Sequence, residues 1–110
     1  MFCIFMFYKV FHSVTFDKKL ETCPKEFKEW LEKIEEQLLE NPYVGDPLRV
    51  KWFREKKHHK FRIYYLIYDD LKAVYLVAIS AKNDQQKMIN TIWLLLDCFK
   101  EQIEKITGGK

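Results

Sequence analysis

Glycine, proline and cysteine are scarce in this chain, three of each among 110 residues. So few glycines and prolines leave no room for a flexible linker between domains or for a low-complexity segment. The cysteines, Cys3, Cys23 and Cys98, are odd in number and far apart. That spacing excludes a Cys-x-x-Cys metal site and suggests no disulfide framework. We expect a reducing, cytoplasmic setting, with no metal and no cofactor. Long apolar runs are missing too. The longest, MFCIFMFY at residues 1–8, falls far short of the ~20 residues that span a bilayer. It also has no basic leader and no small-residue cleavage site, so no membrane partner is expected. Because Met6 lies inside this run, residues 1–5 read either as an extended start or as part of a longer first strand.

Charge is balanced overall and concentrated locally. Between Asp46 and Arg62 stand seven basic residues, Arg49, Lys51, Arg54, Lys56, Lys57, Lys60 and Arg62, against Asp46 and Glu55, a local net of +5 in a chain of +3. The remainder is therefore slightly acidic, and the positive field is confined to one stretch, where it attracts phosphates. Immediately after it, FRIYYLIY (61–68) is β-branched and aromatic with no glycine or proline, the composition of a central strand.

A length of 110 residues fits one domain, 1–110, large enough to fold around its own core. A first strand is predicted within 6–12, then a short helix over 15–23 that must end before Pro24. Phe27, Leu31, Ile34 and Leu38 recur at helical spacing and predict a second helix over 24–40, with a solvated face of glutamates and lysines. The segment NPYVGDPL (41–48) breaks the periodicity. A meander follows: a strand over 49–54, a polar turn EKKHHK (55–60), a strand over 61–68, an Asp69-Asp70 turn, and a strand over 72–80. Alternation sets Phe61, Ile63, Tyr65 and Ile67 on the core face and Arg62 on the opposite one. A C-terminal helix is predicted over 83–107, with Asn83 and Gln86 as a capping pair. Its Ile89, Ile92, Leu96, Phe99, Ile103 and Ile106 form a heptad-spaced seam. That seam packs on the chain's own sheet or second helix, or serves a homodimer.

The order of these elements resembles the RelE/ParE superfamily of toxins from type II toxin-antitoxin pairs, over about residues 8–87. The residues that carry the resemblance are LLENPYVGDPL (38–48), KFRIYYLIYDD (60–70) and VYLVAISAK (74–82). The resemblance implies an α+β fold: a mostly antiparallel four-stranded sheet with an N-terminal helical hairpin on one face and a C-terminal helix. It also implies an antitoxin peptide as partner. RelE-like members cut messenger RNA in the ribosomal A site, using the RNA's own 2′-hydroxyl, whereas ParE-like members inhibit DNA gyrase, and a shared fold does not choose between them.

Under the RelE-like reading, which makes the ribosome and messenger RNA partners, Arg62 matches the arginine that follows the aromatic in the family's third-strand motif, among the basic residues about the scissile phosphate. A guanidinium there clamps phosphate bidentately and stays charged. Lys82 matches a basic position just past the last strand. Lys51, Arg54, Lys56, Lys57 and Lys60 fall where relatives hold lysines or arginines that bind RNA or act as the general base. The positions of a C-terminal arginine and tyrosine hold Asn83 and Ile89 here, and isoleucine transfers no proton. His58 or His59, imidazoles that titrate near neutrality, are the candidate replacements. Two other readings stay open: a ParE-like toxin that does not cleave, and a binding module that has kept the scaffold alone.

Overall fold

The computed structural model describes residues 7–108; the alternative start at Met6 lies outside the described residues. The elements are β1 (Lys9–His12), α1 (Val14–Glu21), α2 (Lys25–Glu40), β2 (Asp46–Leu48), β3 (Val50–His58), β4 (Phe61–Tyr68), β5 (Ala73–Ala81), α3 (Gln85–Leu94) and α4 (Leu96–Thr107). They form one sheet in the order β1-β5-β4-β3-β2, antiparallel except where β1 runs parallel to β5. The α+β class is as expected. Among the described residues no helix is long and apolar enough to cross a membrane.

Local chemistry explains most boundaries. Ser13 caps α1: its hydroxyl oxygen accepts from the Phe16 amide at 3.0 Å and donates to the Val77 carbonyl, so one side chain ends β1 and ties α1 to β5. Pro24 supplies the extended residue before α2, whose Phe27, Leu31, Ile34 and Leu38 are all buried, as the stripe predicted. Gly108, at φ +74, terminates α4 in the left-handed region.

Helices cover both faces of the sheet. Ile63, Tyr65 and Ile67 pack under α1 and α2 with Phe16, Phe27 and Leu31. Tyr64 and Leu66 pack under α3 and α4 with Tyr75, Ile92 and Ile103. β4 therefore lies between two apolar layers, and six of its eight residues are buried.

Several expectations need correction. The sheet has five strands rather than four, because Asp46–Leu48 pairs with β3. Pro47 is tolerated there because β2 is an edge. β3 does not stop at Arg54 but runs to His58. Glu55, Lys56, Lys57 and His58 are thus ladder residues paired with Tyr64, Ile63, Arg62 and Phe61. Only His59 and Lys60 turn, with His59 at φ +55, a region histidine enters more readily than most residues. The C-terminal helix is two helices broken at Leu95 (φ −106°, ψ 11°). Asn83 does not cap: Lys82–Asp84 forms a 3-10 turn, and Asp84 precedes α3 without a side-chain cap bond. Of the heptad seam, Ile89, Ile92, Phe99 and Ile103 are buried in the second apolar layer and Leu96 packs against it, while Ile106 is 49% exposed.

Candidate functional site

The register of β3 against β4 divides the basic stretch between two faces. Residues of one parity, Arg54, Lys56 and His58, pair with Tyr65, Ile63 and Phe61 and share the α2 side. The other parity, Phe53, Glu55 and Lys57, pairs with Leu66, Tyr64 and Arg62 and shares the α3 side. Arg62 therefore stands beside Lys57 and Ser80 across three strands, one rung from Glu55 and Tyr64.

Arg62 is only 7% exposed. Its Nη1 donates to the carbonyls of His59 and Phe61, both at 3.0 Å, which braces the hairpin tip from within. Its buried Nε has no hydrogen-bond partner among the described residues. The guanidinium is thus half spent on structure and retains a desolvated donor, the kind of group that gains most from an incoming oxyanion.

Glu55 is absent from the residues expected from sequence. It is 4% exposed, and both of its carboxylate oxygens accept from Gln85 Nε2 at 2.8 Å. Beside it, Tyr64 and Ser80 share a 2.8 Å hydroxyl contact, and burial pushes the Tyr64 phenol up from its ordinary value, so the phenol stays protonated at neutral pH. An extended strand would have revealed Glu55, because alternation from Phe53 places it inward. The charged run EKKHH hides that alternation.

The remaining candidates fall in two places. Lys57, Lys60 and Lys82 are exposed at the hairpin end of the sheet, where the Lys82 amide donates to the Lys60 carbonyl at 2.7 Å. Lys51 and Arg54 lie toward the other end. Both cations sit over the Tyr43 ring, at 5.0 and 5.3 Å, and Arg54 also donates to the carbonyls of Gly45 and Lys51. The structure does not gather these cations into one cluster. His58 points away from Arg62 and stacks on Trp30 with ring centroids 4.7 Å apart, so the register does not bring it to the α3 side. His59 is exposed at the tip. Ile89, at the position expected for a tyrosine, is buried. Among the described residues no three side chains of metal-ligating type come together.

Comparisons with known proteins bear on the family and the fold. Residues 10–86 match the family described as the ParE toxin of type II toxin-antitoxin systems, parDE. A comparison with curated proteins finds no match. Three solved structures share the fold. The free-state structure of a double arginine-to-alanine mutant of E. coli RelE has a TM-score of 0.66 at 16% identity, covering 76% of this chain and 92% of that one. The intact E. coli RelBE toxin-antitoxin complex gives 0.61 at 17%, covering 67% and 95%. A RelBE toxin-antitoxin complex from Mycobacterium tuberculosis gives 0.57 at 20%, covering 68% and 91%. With the family model matched over residues 10–86 and a sheet of this topology covered by helices on both faces, the chain belongs to the RelE/ParE superfamily of type II toxin-antitoxin toxins.

Proposed function

We propose that this toxin acts in the cytoplasm as a RelE-like ribonuclease on ribosome-bound messenger RNA, stopping translation, and that a cognate antitoxin neutralises it. The observation that carries the reading is the placement of Glu55 and Lys57 opposite Tyr64 and Arg62 on one face of the sheet. Cleavage of a phosphodiester by the neighbouring 2′-hydroxyl needs a proton acceptor and a cationic cradle. Gln85 releases Glu55, which takes the 2′-hydroxyl proton. The 2′ oxygen then bonds to phosphorus, the bond to the 5′ oxygen breaks, and a 2′,3′-cyclic phosphate remains. The exposed Lys57 ammonium takes up the charge that develops on the phosphoryl oxygens, and Arg62 Nε joins it once the groups that cover the guanidinium move aside. The departing 5′ oxygen collects its proton from water, since position 89 offers none. Partnership with an antitoxin is supported by the RelBE relatives, whose structures are toxin-antitoxin complexes.

In a translation extract the folded protein should cut messages within codons. Glu55→Gln keeps the side-chain shape and should lower the cleavage rate by about 10²- to 10⁴-fold. Arg62→Lys keeps the charge but loses the planar fork, and its rate should fall too. An extract left intact by folded wild-type protein overturns the reading. A second reading, inhibition of DNA gyrase without cleavage, is favoured by the seal over Arg62 and by the buried isoleucine at position 89. A supercoiling assay distinguishes it from the first.

A further inference from the structure

The hairpin tip carries a ladder of aromatic rings that the mechanism on the α3 side does not use. On the α2 side, Phe61 lies 4.9 Å from Phe27, Phe27 5.5 Å from Trp30, Trp30 4.7 Å from His58, and His58 4.4 Å from His59. The ladder starts in the core, where Phe27 is fully buried, passes through half-buried Trp30, Phe61 and His58, and ends at exposed His59. Beside it lies a cleft lined by Pro24, Glu26, Phe27, His58, His59, Lys60 and Phe61. Core filling accounts for the inner rings. It does not account for the two imidazoles that carry the ring contacts out to solvent, His58 stacked on Trp30 and His59 set edge-on to His58 at positive φ.

We propose that this cleft is a nucleobase subsite, in which an unpaired base of single-stranded RNA stacks on the outer rings of the ladder and presents its exocyclic amine to Glu26. The proposal rests on the RNA-directed reading above and places a second contact on the face opposite the reaction. A ring face is open to any base, so stacking supplies affinity without sequence preference. The Glu26 carboxylate supplies the preference. It accepts a hydrogen bond from the amine of cytosine or adenine, or from the N–H groups of guanine. Uracil presents one N–H between two carbonyl oxygens, which repel a carboxylate. Lys60, whose ammonium sits 5.7 Å from the Phe61 ring centroid, is within side-chain reach of the phosphate next to the stacked base. Burial and the neighbouring His59 hold His58 below its ordinary value against the opposing pull of Glu26, so at neutral pH it stacks as an uncharged ring.

The test uses the purified chain and labelled hexamers of cytidine, adenosine and uridine, with binding read by fluorescence anisotropy at low salt. The cytidine and adenosine hexamers should bind about tenfold more tightly than the uridine hexamer. Glu26→Gln should erase that difference, while His59→Asn, which still tolerates positive φ, should weaken all of them together. The ring resonances of Trp30, His58 and His59 should shift on titration. Equal affinity for the three hexamers, absence of binding, or shifts confined to Lys57, Arg62 and Ser80 would overturn the proposal. If the translation extract stays uncut while the base preference holds, the ribonuclease reading fails and the subsite stands. Cleavage without the preference means that the subsite fails and the ribonuclease reading stands.

Discussion

Gly45 is fixed by lack of room rather than by its backbone angles, which at φ −79° suit any residue. A Cβ built there would lie 2.6 Å from the Glu55 carbonyl oxygen and 2.6 Å from the Tyr65 hydroxyl. That hydroxyl accepts from the Gly45 amide at 3.0 Å and donates to the Pro42 carbonyl at 2.7 Å. Burial pushes its pKa up to about 12, so it remains a donor at any pH where the protein is used. Two backbone groups of the loop thus depend on one phenol, and the loop in turn positions β2. Gly45→Ala should destabilise the fold by about 2 kcal/mol, since neither the carbonyl nor the packed phenol can move aside freely. Tyr65→Phe strands both loop groups and should cost about 1–3 kcal/mol. Because both changes act on the same contacts, the double variant should lose less than the sum. Urea denaturation with a common slope measures all three, and additivity would show that the glycine and the phenol serve separate purposes.

At the scale of elements, β1 is the least self-sufficient piece, four residues paired with half of β5. His12 compensates. Its Nδ1 lies 2.7 Å from an Asp17 oxygen on α1, and its Nε2 lies 2.7 Å from a Glu35 oxygen on α2. With both ring nitrogens on carboxylates, the protonated imidazolium fits. The bond to Glu35, and less strongly that to Asp17, raises its pKa above the ordinary 6.5 although burial opposes them. A raised value means that the clamp's stabilisation is complete below pH 6.5 and is lost as pH climbs through the folded-state value. The melting temperature should therefore decline from mildly acidic into alkaline solution, and His12→Gln should flatten the decline in that window. The carboxylates are partly exposed, so the effect is of order 1 kcal/mol. An unchanged pH profile in the variant would place the titration elsewhere. This clamp was not legible in the sequence, because His12, Asp17 and Glu35 carry no spacing that marks a contact between three elements. What was legible had periodicity or punctuation: the α2 stripe, the β4 composition, the stop at Pro24, the Gly108 cap. The far half of β3 and the break at Leu95 had neither, and the prolines and glycine around β2 marked it as loop. Residues 55–58 are charged or imidazole and become strand because β4 pairs with them, and α3 and α4 separate with no glycine or proline at the join. Of the site, Arg62 and its face were readable from alternation, while Glu55 and the ring ladder depended on where β3 ends.

Across the whole molecule, the sheet distributes its positive charge between two ends, and under the proposed RNA-directed function this predicts a particular salt dependence. Six residue steps of extended strand separate Lys51 from Lys57, about 20 Å at ~3.3 Å per residue, whereas the Debye length is about 10 Å at 0.1 M salt. The two groups therefore act as separate electrostatic patches. A strand of RNA drawn to the hairpin end meets Lys57, Lys60 and Lys82, the exposed lysines there. Each phosphate neutralised on a single strand contributes about −0.7 to the slope of log affinity against log salt. Three such contacts give a slope near −2, where a single patch holding all five lysines and arginines predicted to bind RNA, together with Lys82, would give about −4. Lys60→Gln should reduce the slope by about 0.7, and Lys51→Glu should leave it nearly unchanged. Anisotropy titrations of single-stranded RNA between low and moderate salt measure it directly. A steep slope that falls equally for both variants would mean that RNA crosses the sheet from end to end, with the proposed centre at Glu55 and Arg62 beneath its middle rather than at its margin.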